Sequence, residues 1–485
     1  MISSSVQALL SKASALRHAG RVEEAIAAYR QLLNVEPQLP DSWYNLGWLQ
    51  RQARHFEEAL ASYAEALARG VSKPEEVHVN RAVILSDQLF RPDDARAELD
   101  RALALNPLYL PALLNLGNLA EDRGDRRGAE DAYRRALEVD PLSGLALARL
   151  AGVTMDYETD DLLRRVGERL DDPALEPAGR ADLGFAQGRL LDRAGRYSDA
   201  FAAYRSANDA VRASAGPSFK SYDAVAHERF VDRLISTFDR PTTARAEAEP
   251  VVFICGMFRS GSTLGEQILA AHSKVMPGGE LDLIPTIAER ISPYPEAAAN
   301  DEAIAGARRN YLRGIETLDA GSRLITDKRP DNFLHIGLIK AMFPRARIVH
   351  TRRNALDNLL SLYFLQLHPD MSYALDLGDA AHWYGQYQRL MAHWERLFGE
   401  DIFTLDYDEL VRDPTRVTEA LLHFCGLEWE DACLQPHRVK GEVKTASVWQ
   451  VREPVHRRSS GRWKNYADEM RELANRLGSD WPEKA

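Results

Sequence analysis

The segment Gly256-Met257-Phe258-Arg259-Ser260-Gly261-Ser262-Thr263 follows a short apolar, β-rich run, Val251 to Cys255, and Leu264 to Ala271 after it reads as a helix. In a strand–glycine loop–helix arrangement, backbone N–H groups and the helix N-terminus form a cradle for phosphate. A nucleoside-triphosphatase loop has Gly, four residues, then Gly-Lys-Ser/Thr. Gly256 and Gly261 keep that spacing, but Ser262 stands in the lysine position. The missing lysine removes the contact to β- and γ-phosphates, which disfavours ordinary ATP or GTP hydrolysis. A donor with no γ-phosphate would not need it.

The loop Arg259-Ser260-Gly261-Ser262-Thr263 resembles the 5′-phosphosulfate loop of sulfotransferases, in particular the tyrosylprotein sulfotransferase branch. Three further segments are similar to that family. Gly278-Gly279-Glu280 matches the stretch that carries its catalytic glutamate, and a carboxylate there can take the proton of an attacking hydroxyl. Thr326-Asp327-Lys328-Arg329-Pro330 looks like its lysine-bearing strand end, and Lys328 falls on the cation that offsets charge on the departing oxygen. Arg347 to Arg353 reads as a strand ending in basic residues, and Arg353 with Ser361 matches the pattern that binds a 3′-phosphate.

The resemblance implies 3′-phosphoadenosine 5′-phosphosulfate (PAPS) as co-substrate, with no metal. It gives Glu280, Lys328 and Arg259 catalytic roles. Arg259, Ser260, Gly261, Ser262, Thr263, Leu264, Arg353 and Ser361 bind the donor. Tyr407, in Leu405-Asp406-Tyr407-Asp408-Glu409-Leu410, is an adenine-side candidate and equally a core tyrosine. Ser447 and Arg462 resemble the closing segment over the donor, with Arg457 and Arg458 as alternative cations. A histidine base is the internal competitor to Glu280, with His272, His335 and His350 as candidates. Tyrosylprotein sulfotransferases carry an arginine two residues after the glutamate; here Asp282 stands there, which argues against an acidic peptide as acceptor. A protein tyrosine, a carbohydrate hydroxyl and a phenol stay open.

These elements need only the second half of a chain of 485 residues, long enough for two domains. The first half is repetitive: Ala25, Ala59, Ala95 and Ala129 recur at steps of 34, 36 and 34, and Ala200 with Tyr204 and Ala207 gives a fifth match. Trp43, Leu46 and Gly47, then Leu116 and Gly117, recur as well, with Pro37, Pro107 and Pro141 at unit ends. The pattern resembles the tetratricopeptide repeat, a helix–turn–helix of ~34 residues. Such arrays present a concave face to peptides or proteins, although this one could instead cap the second domain or form a homodimer.

The fold expected is a two-domain α plus α/β chain. A tetratricopeptide solenoid occupies 1–215, a junction 216–249, and a three-layer phosphate-loop sulfotransferase domain with a mainly parallel sheet 250–485. The whole resembles the bacterial tetratricopeptide-repeat sulfotransferases. A net charge of −11 argues against nucleic acid. Only three cysteines, which cannot all pair and sit in no disulfide or zinc pattern, and the lack of a signal or transmembrane segment point to the cytoplasm. Two rival functions stand beside sulfuryl transfer. One is an ATP-dependent phosphotransferase with Asp327 on a metal, and the other a non-catalytic scaffold with a relic second domain.

Overall fold

The computed structural model describes residues 4–154, 159–241, 250–316, 318, 323–439, 445 and 448–478. The chain divides into two compact units, Met1–Thr154 and Met155–Ala485.

The first unit is helical: α1 (Ser4–His18), α2 (Val22–Val35), α3 (Pro40–Gln52), α4 (Phe56–Ala68), α5 (Pro74–Val83), α6 (Pro92–Leu105), α7 (Leu110–Asp122), α8 (Arg126–Val139) and α9 (Gly144–Val153). Consecutive helices pair as hairpins that stack on their neighbours. The repeated alanines explain the pairing, since Ala25, Ala59, Ala95 and Ala129 have no exposed surface. Tyr29, Tyr63 and Tyr133, one turn further along, are equally sealed. Gly117 shows how closely the paired helices approach: a Cβ there would sit 2.3 Å from the Tyr133 ring. The long step of 36 is taken up locally, where α5 runs on into a π-helical turn, Ile84–Gln88.

The second unit opens with α10 (Thr159–Leu170), α11 (Pro177–Arg193), α12 (Tyr197–Ser214) and α13 (Ala224–Thr237). The fifth repeat match lies here, so the repeat signature runs past the first compact unit. Its contacts go to this unit's core: the Tyr204 ring stacks on Phe364 with centroids 3.9 Å apart, and Asn208 Nδ2 donates to the Tyr363 carbonyl at 3.0 Å.

The elements that follow are β1 (Val251–Gly256), α14 (Ser262–Ala270), β2 (Val275–Pro277), α15 (Leu283–Arg290), α16 (Asp301–Glu316), β3 (Leu324–Lys328), α17 (Ile336–Met342), β4 (Arg347–Arg352), α18 (Ala355–Tyr363), α19 (Leu377–Phe398), β5 (Ile402–Asp406), α20 (Tyr407–Arg412), α21 (Pro414–Phe424), α22 (Val448–Val451) and α23 (Ala467–Leu477). The strands form one sheet in the order β2-β3-β1-β4-β5, and every pairing is parallel.

Every residue of β1 is buried, as a central strand covered on both faces requires. Its alternate residues serve two cores. Val251, Phe253 and Cys255 pack with α15, α16, α17 and α19, whereas Val252 and Ile254 pack with α14 and α21. The result is three layers, helix–sheet–helix. The chain leaves β1 toward β3 and β2, then returns to add β4 and β5 on the other side. Ligands of such sheets bind beyond the carboxyl ends of the strands, where the winding reverses.

Candidate functional site

The segments at the carboxyl ends of β1, β2, β3, β4 and β5 carry most of the predicted residues, Glu280 following β2. At the end of β1 the chain turns through Gly256, Arg259 and Gly261, which have φ of 151°, 70° and 101°. Gly261 caps α14, and a Cβ there would lie 2.8 Å from the Tyr407 ring. The loop is fastened from below. Ser260 Oγ bonds to the Met257 carbonyl at 2.6 Å and to Thr351 Oγ1 at 2.7 Å, so this serine faces the sheet.

Above the loop lies a cavity of ≈ 250 Å³ lined in part by Arg259, Gly261, Ser262, Thr263, Leu264, Glu280, Arg353 and Tyr407. Phe258, Pro330, Leu365 and Leu367 add an apolar wall. The segment after α22 contributes Glu453, His456 and Ser459.

Two arginines give the cavity its charge. Arg259 donates from Nε to Ser361 Oγ at 3.1 Å and from Nη2 to Gln450 Oε1 at 2.8 Å. Burial, then the charges of Arg353 and Arg462, lower its pKa to about 10. Arg353 is 8% exposed and lies over the Tyr407 ring at 5.0 Å. Its Nη2 donates to the Ser459 carbonyl, and its Nε is buried without a partner among the described residues. Crowded, desolvated guanidinium groups with a spare donor suit a polyanion. The backbone cradle below them accepts no Cβ at Gly256, which would lie 2.2 Å from the Thr351 carbonyl. The residues present therefore fit a phosphate-bearing nucleotide.

On the other side Lys328, fully buried at the end of β3, donates from Nζ to Glu280 Oε1 at 2.6 Å. Arg329 turns away to Asp282 at 2.6 Å and Asp331 at 2.8 Å. Asp282 is thus already paired with a cation.

The structure does not bring every expected residue to the cavity. Ser361 is held by Arg259 and is not on the wall. Arg462 pairs with Asp192 of α11 at 2.7 Å and lies 5.5 Å over the Phe364 ring. Arg457 donates to the Arg412 carbonyl at 2.7 Å, and Arg458 pairs with Glu453. Ser447 lies outside the described residues. Asp327 has no exposed surface; it accepts from Tyr311 at 2.8 Å and Asn332 at 3.3 Å, facing away from the cavity wall.

The three histidines weighed as bases are engaged elsewhere. His272 Nε2 bonds to the Glu428 carbonyl at 3.0 Å, and His335 to the Tyr294 hydroxyl at 2.8 Å. His350 bonds to the Tyr387 hydroxyl. His456, which the sequence did not single out, is the histidine on the wall among the described residues. Gln450 and Glu453 were missed with it, because nothing local in their segment marks a site. Glu266 on α14 was also missed, although its place one turn after Ser262 and Thr263 was a usable signal.

The second unit contains a phosphate-loop α/β domain with a parallel sheet, and helical repeats precede it in the chain. Residues 250–431 match the sulfotransferase family, and residues 13–52, 44–109, 87–143 and 114–153 match tetratricopeptide repeats. The chain thus carries tetratricopeptide repeats within residues 13–153 and a domain that matches the sulfotransferase family over residues 250–431. An uncharacterized protein of Aquifex aeolicus (strain VF5) is 32% identical over 74% of this chain and 49% of its own length. The protein-tyrosine sulfotransferase 1 of Danio rerio is 24% identical over 44% of this chain and 65% of its own. The protein-tyrosine sulfotransferase 2 of Gallus gallus is 22% identical over 48% and 70%. This chain therefore spans about half the length of the Aquifex relative.

Proposed function

We propose that the chain transfers a sulfuryl group from PAPS to an acceptor hydroxyl. The observation that carries this reading is the cavity lined by the phosphate loop, Arg259, Arg353 and Glu280, with the buried Lys328 in contact with the Glu280 carboxylate. The loop N–H groups with Ser262, Thr263 and Arg259 would hold the 5′-phosphosulfate. Arg353 would hold the 3′-phosphate, and Ser361 would join it once Arg259 moves to the donor.

PAPS supplies an activated S–O bond. Glu280 accepts the proton of the acceptor hydroxyl as its oxygen bonds to sulfur. The electrons of the broken bond stay on the 5′-phosphate oxygen, where the Lys328 ammonium offsets the charge. Lys328 Nζ donates to Glu280 Oε1, so the base and the cation that offsets the leaving charge are held in contact.

The acceptor is a protein tyrosine, a carbohydrate hydroxyl or a phenol. Two relatives named for protein tyrosine bring the first into range, and the pairing of Asp282 with Arg329 weakens its opposition to an acidic sequence around that tyrosine. The helical array is read as the recruiting surface for the acceptor or a partner protein. The cysteines are free and buried, which suits a reducing compartment, and we place the reaction in the cytoplasm. As for the phosphotransferase rival, Asp327 is a poor metal ligand here, being buried, doubly hydrogen-bonded and inclined to keep its proton.

Labelled PAPS incubated with a phenol, a sugar and tyrosine peptides tests the proposal. Transfer by the parent chain and its loss in Glu280→Ala are expected. Consumption of Mg-ATP in place of PAPS would contradict it.

A further inference from the structure

Glu280 sits at the end of a glycine pair that is bound on two sides. On one side it continues the β2–β3 ladder: Gly278 N–H donates to the Thr326 carbonyl at 3.0 Å, and Lys328 N–H to the Gly279 carbonyl at 2.9 Å. This approach requires glycine, since a Cβ at Gly278 would lie 2.3 Å from the Thr326 carbonyl. On the other side the Gly279 N–H donates to Oε1 of Glu266 at 3.0 Å. The same oxygen accepts the Thr326 hydroxyl at 2.9 Å.

Glu266 is 4% exposed, on the helix whose N-terminus forms the phosphate cradle. The proposed chemistry makes no use of it. A buried carboxyl in a packed helix is costly unless its bonds repay desolvation. Burial raises its pKa; the Lys328 charge and the bonds from Thr326 and Gly279 pull the other way. From the phosphate-loop helix its carboxylate therefore bonds to two places that the reaction needs in register, the Gly279 peptide before Glu280 and the strand that ends in Lys328. Two consecutive glycines have large backbone freedom to lose, so without this anchor the base would sample many positions.

We infer that Glu266 is a positioning residue that clamps the Gly279–Glu280 peptide and the end of β3 to the phosphate-loop helix. The inference rests on the sulfotransferase reading for its consequence, though not for the clamp itself. A misplacement of about 1 Å at a reacting group costs ~10²-fold in rate.

The test compares Glu266→Met, which fills similar volume with no acceptor for these donors, and Glu266→Gln, which keeps Oε1. In the full chain, amide hydrogen exchange read over residues 276–282 needs neither donor nor acceptor. The methionine variant should exchange ~10-fold or more faster in that segment alone, and the glutamine variant within about threefold of the parent. With PAPS and a simple phenol, kcat should fall ~30–100-fold in the methionine variant and recover in the glutamine variant, while affinity for 3′-phosphoadenosine 5′-phosphate (PAP) stays within about threefold. Thr326→Val, which removes the other donor to the same oxygen, should give a milder change in the same direction, and it serves if the methionine variant does not fold. Unchanged exchange, unchanged kcat, or a loss that follows PAP affinity would overturn the clamp. A parent chain that binds no PAP would overturn the functional reading instead, with the exchange result still deciding the clamp.

Discussion

Lys328 and Glu280 form an ion pair closed at one end and open at the other. Nζ and Oε1 are 2.6 Å apart, the lysine side chain has 0% exposure, and the glutamate side chain has 37%. The lysine cannot reach water, so its charge is directed at whatever meets the carboxylate. The glutamate faces the cavity, where a hydroxyl could reach it.

Separate removal of the two partners should distinguish chemistry from stability. Glu280→Gln keeps an oxygen for Nζ and loses the proton acceptor, so turnover should drop ~10²–10⁴-fold with little change in melting temperature. Lys328→Met should lower turnover comparably. Initial rates with PAPS and melting curves measure both; near-parental turnover in either variant removes that residue from the mechanism.

Two glycines should respond differently to alanine. At Gly261 the left-handed backbone and the Tyr407 ring both oppose a Cβ, so Gly261→Ala should cost ~2–4 kcal/mol and weaken PAP binding at least ~10-fold. Gly117→Ala should overpack the Tyr133 contact in the first unit, cost ~1–3 kcal/mol, and leave PAP affinity unchanged. Urea unfolding and calorimetry check both, and a loss of PAP affinity in Gly117→Ala contradicts the second.

The pH dependence of stability has a specific source in Asp327. Burial raises its pKa to about 7 against the bonds from Tyr311 and Asn332. A folded value above the unfolded ~3.9 means that the folded state keeps the proton longer. This contribution is complete below about pH 4 and is lost as pH rises through about 7. His335 has the opposite sign. Burial, with the nearby Arg329 charge, lowers it to about 4, so its contribution is complete above ~6.5 and lost as pH falls through about 4. Asp327→Asn should therefore gain on the parent as pH rises from about 5 to about 8, by roughly 2–3 kcal/mol. A parent–variant difference constant across that range in urea titrations contradicts this.

The glycine loop, Glu280, Lys328 and Arg353 stand out in the sequence because each sits beside a glycine turn or strand end whose local pattern is informative; the roles given to them belong to the proposal. Their convergence is then imposed by one parallel sheet with its loops at a common edge. The repeat was legible for the same reason, since sealed alanines and tyrosines recur at a fixed step. What was not legible depends on contacts between distant segments. Gln450 reaches Arg259 across 191 residues and Asp192 takes Arg462 across 270, with no spacing to announce either. Arg462 was expected at the donor because its position resembles a family cation; its carboxylate partner on α11 accounts for where it lies. α11 and α12 keep the repeat's small-residue packing, with Gly184 against Ala207 and Gly188 against Tyr204, while Phe185, Phe201 and Tyr204 belong to the core of the α/β unit.

The central claim concerns the donor, and calorimetric titration tests it most directly. PAP, the same nucleotide without its 3′-phosphate, and Mg-ATP would be titrated into the parent chain and into Arg353→Ala. Tight binding of PAP alone is expected, weakened ~10²-fold in the variant, with affinity for the nucleotide lacking the 3′-phosphate unchanged within about threefold. Absence of PAP binding, or a preference for Mg-ATP, would contradict the claim.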